Sequence, residues 1–479
     1  MLRKISPFLL CSIILTALTM VLLPYRNGYL LRWMDDMSLF DSSPHVTDML
    51  MNYPGGVLQF AGSYLTQFMF HPWIGSLLLM AIWACSVFLA IKAFRLRGYA
   101  TLLALSIPLI LLISILNIDV AWLTIPSKGY IFSQSIGAAL SLSLFLVYRL
   151  SKSFAIRCLT SAIMLASFPL FGFYSLLAWM MSAVYETIEA FTERSFKRLS
   201  IVAAGLALAI IIPQIYYSYW RGTWTERDGI YLKGLPDFPF SDGDLYQWMP
   251  FIILTGALLL LTSFPFIKAS RLSSRKTLMA GIAILTALAG WSAAVSTKTE
   301  QFRALVLMQR AMQANDWNKV VAIISNCRQP PSYEMAVIAN FAGKMLGRQT
   351  IPLPSEDSAD NENGRNKNVS FTRTALLTVP LSYYIGHTNL SYRWAMEHTV
   401  KFGPRAFFIK YMTKCALVNG EIKLAEKYND MLRSTLFHHE WAERYQPFID
   451  NPSLMKDDPE FAAIPENTSR EIFFGQSPH

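Results

Sequence analysis

Apolar runs recur along the first 296 positions, and about 20 such residues in a helix cross the hydrocarbon core of a bilayer. They occupy 6–24, 72–91, 99–116, 130–148, 200–218, 248–267 and 277–295. A longer run, 158–188, has Pro169 and Gly172 at its middle. It can be drawn as one tilted helix or as a tight hairpin of two short spans. The hairpin places every basic cluster of this region on one side of the membrane, so nine spans are predicted.

Beyond residue 296 the pattern changes to amphipathic helices separated by breakers. Apolar positions at helical spacing cover Gln301–Ala314, Asn318–Asn326 and 332–347. They resume at about 373–386, 389–402, 405–418, 421–434 and 436–447. Pro330-Pro331, Gly403-Pro404 and Asn419-Gly420 punctuate them. Residues 355–368 hold almost nothing apolar and are expected to form a mobile loop. The fold class is therefore all-α, with a polytopic membrane domain over 1–296 and an extracytoplasmic helical domain over 297–479. Gly420, Ala425 and Tyr428 give this second domain a degenerate resemblance to tetratricopeptide repeats.

Charge settles the orientation. The chain carries 42 Lys+Arg against 32 Asp+Glu, yet only 15% of its residues are charged and 53% are hydrophobic. Residues 297–479 contain 21 basic and 19 acidic residues, so most of the excess lies in the apolar part. There it collects in short clusters, such as Lys92, Arg95 and Arg97, or Arg149, Lys152 and Arg157. Basic residues in short loops mark the cytoplasmic side, which removes any need for nucleic acid as a partner. The first span follows Met-Leu-Arg-Lys and has no small-residue cleavage site, so it reads as an uncleaved helix with a cytoplasmic N-terminus. Nine crossings then export the C-terminal domain, to the periplasm if the cell is bacterial. Trp33, Tyr216, Tyr217, Tyr219, Trp220 and Trp248 fall at the expected outer boundary, as interfacial aromatics do.

Cys11, Cys85 and Cys158 sit in apolar runs, whereas Cys327 and Cys415 would be free to pair in an oxidising compartment. Neither a CxxC nor a His/Cys cluster is present, and the acidic spacing Asp237, Asp242, Asp244 lacks the Glu of a calcium loop. No metal and no cofactor is expected. Within the spans ionisable groups are scarce, and Glu186 and Glu189 are expected to be solvated beside Arg194.

Candidate chemistry gathers in the outer loops 25–71 and 219–247. Asp35 and Asp36 follow the first span; then come two segments, 45–52 and 57–70, joined by Pro54-Gly55-Gly56. Adjacent carboxylates can serve as a general base, or can simply belong to a solvated loop. This order of span, acidic pair, interfacial helices, further spans and exported helical domain resembles GT-C membrane glycosyltransferases, which use polyprenyl-phosphate-linked sugars. The resemblance implies Asp35 or Asp36 as catalytic base and Asp119 as a second acidic group. Arg32, Lys128, Arg221 and Arg227 would bind the donor phosphate. The layout also looks like uncharacterised polytopic bacterial envelope proteins with helical-repeat tails, for which no activity is implied. Two functional readings follow. One is a transferase acting at the outer face of the membrane. The alternative is a non-catalytic membrane scaffold whose helical domain recruits envelope partners. Membrane lipid is a partner in both.

Overall fold

A computed structural model describes residues 6–117, 129–219, 229–236, 245–296, 300–348, 351–353 and 367–465. The regular structure of the described residues is helical: α-helices with short 3-10 turns and one π segment, joined by turns and loops, and an isolated bridge between Lys233 and Leu235. The chain divides into two compact units. One takes most of the chain up to Lys298; the other joins Thr299–His479 to the short segment Tyr29–Asp41.

In the first unit α1 (Pro7–Met20) opens on a cap that sequence chemistry favours. Pro7 needs no backbone partner at the first turn, and the Leu9 amide donates to Ser6 Oγ at 3.2 Å. The helix continues through a π segment, Val21–Arg26, where Pro24 cannot supply an amide hydrogen. It runs on as α2 (Asn27–Asp36), so the segment expected to begin an outer loop at residue 25 is helical. Two short helices follow, α3 (Pro44–Met51) and α4 (Gly56–Thr66), close to the segments 45–52 and 57–70 read from the sequence.

The remaining helices of this unit are α5 (Pro72–Ala93), α6 (Ser106–Leu116), α7 (Tyr130–Leu150), α8 (Phe154–Ala166), α9 (Phe168–Phe171), α10 (Phe173–Glu193), α11 (Lys197–Tyr219), α12 (Leu245–Leu261), α13 (Ala269–Leu272) and α14 (Arg275–Ser296). Among the described residues, seven helical segments are long and apolar enough to cross a membrane. Their outward faces carry Ile13, Ile14, Leu206, Ile210, Leu260 and Met279, a surface suited to lipid contact. The run 158–188 does break at its Pro169/Gly172 centre. Gly172 adopts φ 56°, and a Cβ there would stand 2.2 Å from the Lys233 carbonyl oxygen. Of the two arms, α8 has 13 residues and α10 has 21.

Between apolar helices in lipid, close approach and polar contacts supply the attraction that burial supplies in water. Gly62 of α4 meets the turn before α7 so closely that a Cβ would lie 2.3 Å from the Gly129 carbonyl oxygen. Trp83 Nε1 donates to Ser135 Oγ at 2.9 Å, and Ser141 Oγ donates to the Tyr174 carbonyl at 2.7 Å. Glu186 and Glu189 are not solvated beside Arg194. Glu186 is 1% exposed and lies 2.8 Å from Arg157, while Arg198 and Arg157 both reach Glu189. Tyr148 also donates to Glu186, at 3.0 Å. A carboxylate in this position is held by cations because water is excluded.

In the second unit α15 (Glu300–Gln313), α16 (Trp317–Ser325) and α17 (Tyr333–Met345) precede α18 (Lys367–Ile385), α19 (Thr388–Phe402), α20 (Ala406–Val418), α21 (Ile422–Arg433), α22 (His439–Asp450) and α23 (Pro459–Ala462). Asp316 and Ser332 cap α16 and α17 by accepting from Lys319 and Met335 amides. The expected mobile loop 355–368 lies outside the described residues apart from its last two positions, which open α18. Gly420, with φ 77°, makes the turn from α20 to α21. Ala425 is fully buried, and the Tyr428 and Tyr392 hydroxyls lie 2.8 Å apart. Around this hairpin Ala416, Leu417, Ala425, Tyr445, Ile449 and Phe461 form a continuous core. Cys327 and Cys415 are free thiols, with Cys415 buried inside α20.

Candidate functional site

Asp35 and Asp36 end α2, inside the second compact unit, and neither is a solvated loop residue. They are 3% and 9% exposed. Lys410 of α20 donates to Asp36 Oδ1 at 3.2 Å. His438, just before α22, places Nε2 3.3 Å from Asp35 Oδ2. Arg310 of α15 and Arg32 of α2 add positive charge around the pair.

Several contacts fix this arrangement. Trp33 lies two and three residues before Asp35 and Asp36 and is buried edge-on against Phe407, with ring centroids 5.6 Å apart. The Ala406 amide, at the start of α20, donates to the Ser38 carbonyl at 3.2 Å. Arg405, also buried, brings its guanidinium 3.8 Å from Met37 Sδ. Trp33 is therefore a core residue and not an interfacial one; Tyr216 and Trp248 are buried as well. Side chains of Tyr219 and Trp220 lie outside the described residues.

Burial sets the protonation of the cationic and imidazole groups. It pulls the His438 imidazole down to about 3, and Lys410 opposes its protonation further. His438 is thus neutral at pH 7, with Nε2 facing the Asp35 carboxyl. Burial also brings Arg405 down to about 10, which leaves it charged at neutral pH. One helical turn along α20 from Lys410, Lys414 reaches Glu460 at 2.5 Å, and Tyr445 donates to the same carboxylate at 2.6 Å. The two lysines of α20 thus serve two separate buried acids on neighbouring elements.

Oxygens of Asp35 and Asp36 and a nitrogen of His438 lie within 4.8 Å of one another, a grouping that could hold a divalent cation. Lys410 already supplies a positive charge to Asp36 at hydrogen-bond distance. The arrangement therefore fits an ion-pair network better than an open coordination sphere, which would need free carboxylate oxygens.

The other residues singled out from the sequence fare differently. Asp119, Lys128, Arg221 and Arg227 lie outside the described residues, as do Asp237, Asp242 and Asp244. Arg32 stands on α2 one turn before Asp36 and is partly buried. His71 precedes α5 with its ring against Phe70, at 5.0 Å between centroids. Sequence reasoning missed Lys410, His438 and Arg405. A signal was present: Lys410 and Lys414 interrupt an otherwise apolar helix at a spacing of four, the mark of charges turned toward one buried face.

Comparison with curated proteins and with solved structures finds no match. A family profile does match, over residues 3–477. With coverage of nearly its whole length, the chain belongs to the family of unknown function DUF6057.

Proposed function

We propose that the protein is a non-catalytic membrane scaffold, whose C-terminal helical domain recruits envelope partners. The observation that carries this reading is the state of the acidic pair. Asp36 is engaged by Lys410, and Asp35 faces a neutral His438, both enclosed among α2, α20 and the approach to α22. A general base must reach the hydroxyl it deprotonates. These carboxylates instead clasp the extension of the first helix to the helices that follow residue 299. Helical hairpins around Gly420 supply the partner-binding surface in this reading, in the manner of tetratricopeptide-like repeats. The same reading has nine crossings, counting α8 and α10 as the hairpin arms. It has a cytoplasmic N-terminus, an exported C-terminal domain and a place in a bacterial inner membrane. The side-sorted basic clusters support that topology.

In-cell photo-crosslinking tests the scaffold. A crosslinker at Val400, an exposed apolar position of α19, is expected to give a discrete adduct with another envelope protein. Absence of any adduct from Val400 and from exposed Leu436 would count against recruitment through these helices.

A second reading, the GT-C-like transferase using a polyprenyl-phosphate sugar, keeps one observation in its favour. Two short helices, α3 and α4, stand between the first helix and the second span, as in the layout that suggested it. In that reading Asp35 or Asp36 is the base, with Asp119 as the second acid and Arg32, Lys128, Arg221 and Arg227 on the donor phosphate.

A further inference from the structure

Among the described residues of the first unit, one buried charge stands apart: Arg149, at the end of α7. It is 9% exposed, and its Nε and Nη1 have no hydrogen-bond partner among the described residues. The carboxylates of that region are taken: Glu186 and Glu189 by Arg157 and Arg198, and Glu193 by Arg198. A second cation, Arg95, is brought toward Arg149, because Phe94 beside it packs on Phe145, one turn before Arg149, with ring centroids 5.5 Å apart. An arginine stays ionised even when buried, so Arg149 and Arg95, with no acid paired to Arg149 among the described residues, leave local positive charge for a ligand to neutralise.

Arg95 is itself held in an uncommon conformation. Its φ of 49° lies in the left-handed region that non-glycine residues seldom adopt. Its neighbours Phe94 and Leu96 are both buried, which pins the turn and leaves the Arg95 side chain exposed beside Arg149. That conformation closes α5, with the Leu96 amide donating to the Ile91 carbonyl at 3.1 Å, so the turn holds Arg95 in place. The buried charge of Arg149, with two nitrogens unpartnered among the described residues, indicates a site that something else completes.

We propose that Arg149 and Arg95 form a binding site for a phosphate-bearing anion, supplied by a phospholipid headgroup or by soluble phosphate. The planar guanidinium offers two parallel donors to phosphate oxygens, and Arg149 has two nitrogens waiting for acceptors. Its place at the end of a membrane-crossing helix is where basic pockets between spans meet headgroups. This site is separate from the acidic pair and does not depend on the scaffold reading.

The test uses the full-length chain purified in detergent and placed in phosphatidylcholine nanodiscs with or without phosphatidylglycerol. Retained lipid is read by native mass spectrometry, with inorganic phosphate as the soluble probe in a parallel thermal-shift series. Wild type is expected to retain phosphatidylglycerol, with about tenfold weaker retention in Arg149→Gln, the loss of charge-assisted bonds. Arg149→Lys, which keeps the charge but not the fork, is expected to lose most of the same retention. Lys276→Gln, an exposed basic residue on α14, should change nothing. Stabilisation by inorganic phosphate alone, lost in Arg149→Gln, would assign the site to a soluble anion. Should Arg149→Gln fail to fold, Arg95→Gln carries the comparison because its side chain is exposed. Equal losses in Arg95→Gln and Lys276→Gln, or no loss in any variant, would overturn the proposal.

Discussion

Lys410 Nζ lies 3.2 Å from Asp36 Oδ1, a contact between residues 374 positions apart. It joins the end of the first helix to the middle of α20, with both side chains largely removed from solvent. A pair of this kind is expensive to break on one side only, because the remaining charge stays buried. Asp36→Asn or Lys410→Met is expected to destabilise the C-terminal helices by about 3 kcal/mol. The apolar exchange Asp36→Leu/Lys410→Met should recover most of that loss. Thermal unfolding of the full-length protein in detergent checks both; additive losses in the double variant would contradict the pairing.

Two buried imidazoles make the same helices acid-sensitive. Burial holds His398, stacked on Phe408, down to about 2, and His438 down to about 3. In the unfolded chain both titrate near 6.5. Above that value both states are neutral and stability is full. As pH falls from about 6.5 toward 3, the unfolded chain takes up protons that the folded one does not, so stability declines. Asp35, raised by burial, works in the opposite sense, so the histidine contribution is read as a difference: between pH 7.5 and 5, unfolding temperature is expected to depend on pH differently in His398→Phe than in wild type, with less loss toward acid. An unchanged slope in that variant would contradict the assignment.

Glycine packing between α4 and α7 is predicted to be intolerant. In Gly62→Ala the new methyl would collide with the Gly129 carbonyl, a backbone atom that cannot turn aside. Gly256→Ala on α12 meets nothing within 4 Å and serves as the control. Membrane accumulation should drop severalfold for the first and stay level for the second. Equal accumulation would show that α4 and α7 are not so closely apposed.

Thiol labelling reports the packing of α20. Cys415 is buried, with its thiol pushed up to about 12, whereas Cys327 is partly exposed. Maleimide is expected to modify Cys327 in the native protein and Cys415 only after unfolding. Native labelling of Cys415 would contradict the packed helix.

The all-helical class and the candidate crossings were legible because the bilayer demands length and apolarity that a linear pattern displays directly. The break at Pro169 and Gly172 was legible for a similar reason, since both residues interrupt a helix locally. The acidic pair could be located but not understood. A hydropathy pattern shows that Asp35 and Asp36 follow an apolar run, and it cannot show that Lys410 and His438 return to meet them. The same limit applies to Glu186 and Glu189, whose counterions Arg157 and Arg198 come from other helices. Trp33 looked interfacial by position alone, and it is Phe407, far along the chain, that makes it a core residue.

In the scaffold proposed above, Asp35 and Asp36 are structural anchors and not a base. Envelope-glycan mass spectrometry tests this in a deletion strain complemented with wild type, Asp35→Asn or Asp36→Leu/Lys410→Met. Asp35→Asn keeps an oxygen opposite the neutral His438, and the double exchange keeps packing while removing the second carboxylate. Both variants should reach the membrane at wild-type levels and give the wild-type glycan profile. A sugar restored by wild type and missing with either variant, at equal protein levels, would contradict the anchor and return the acidic pair to catalysis.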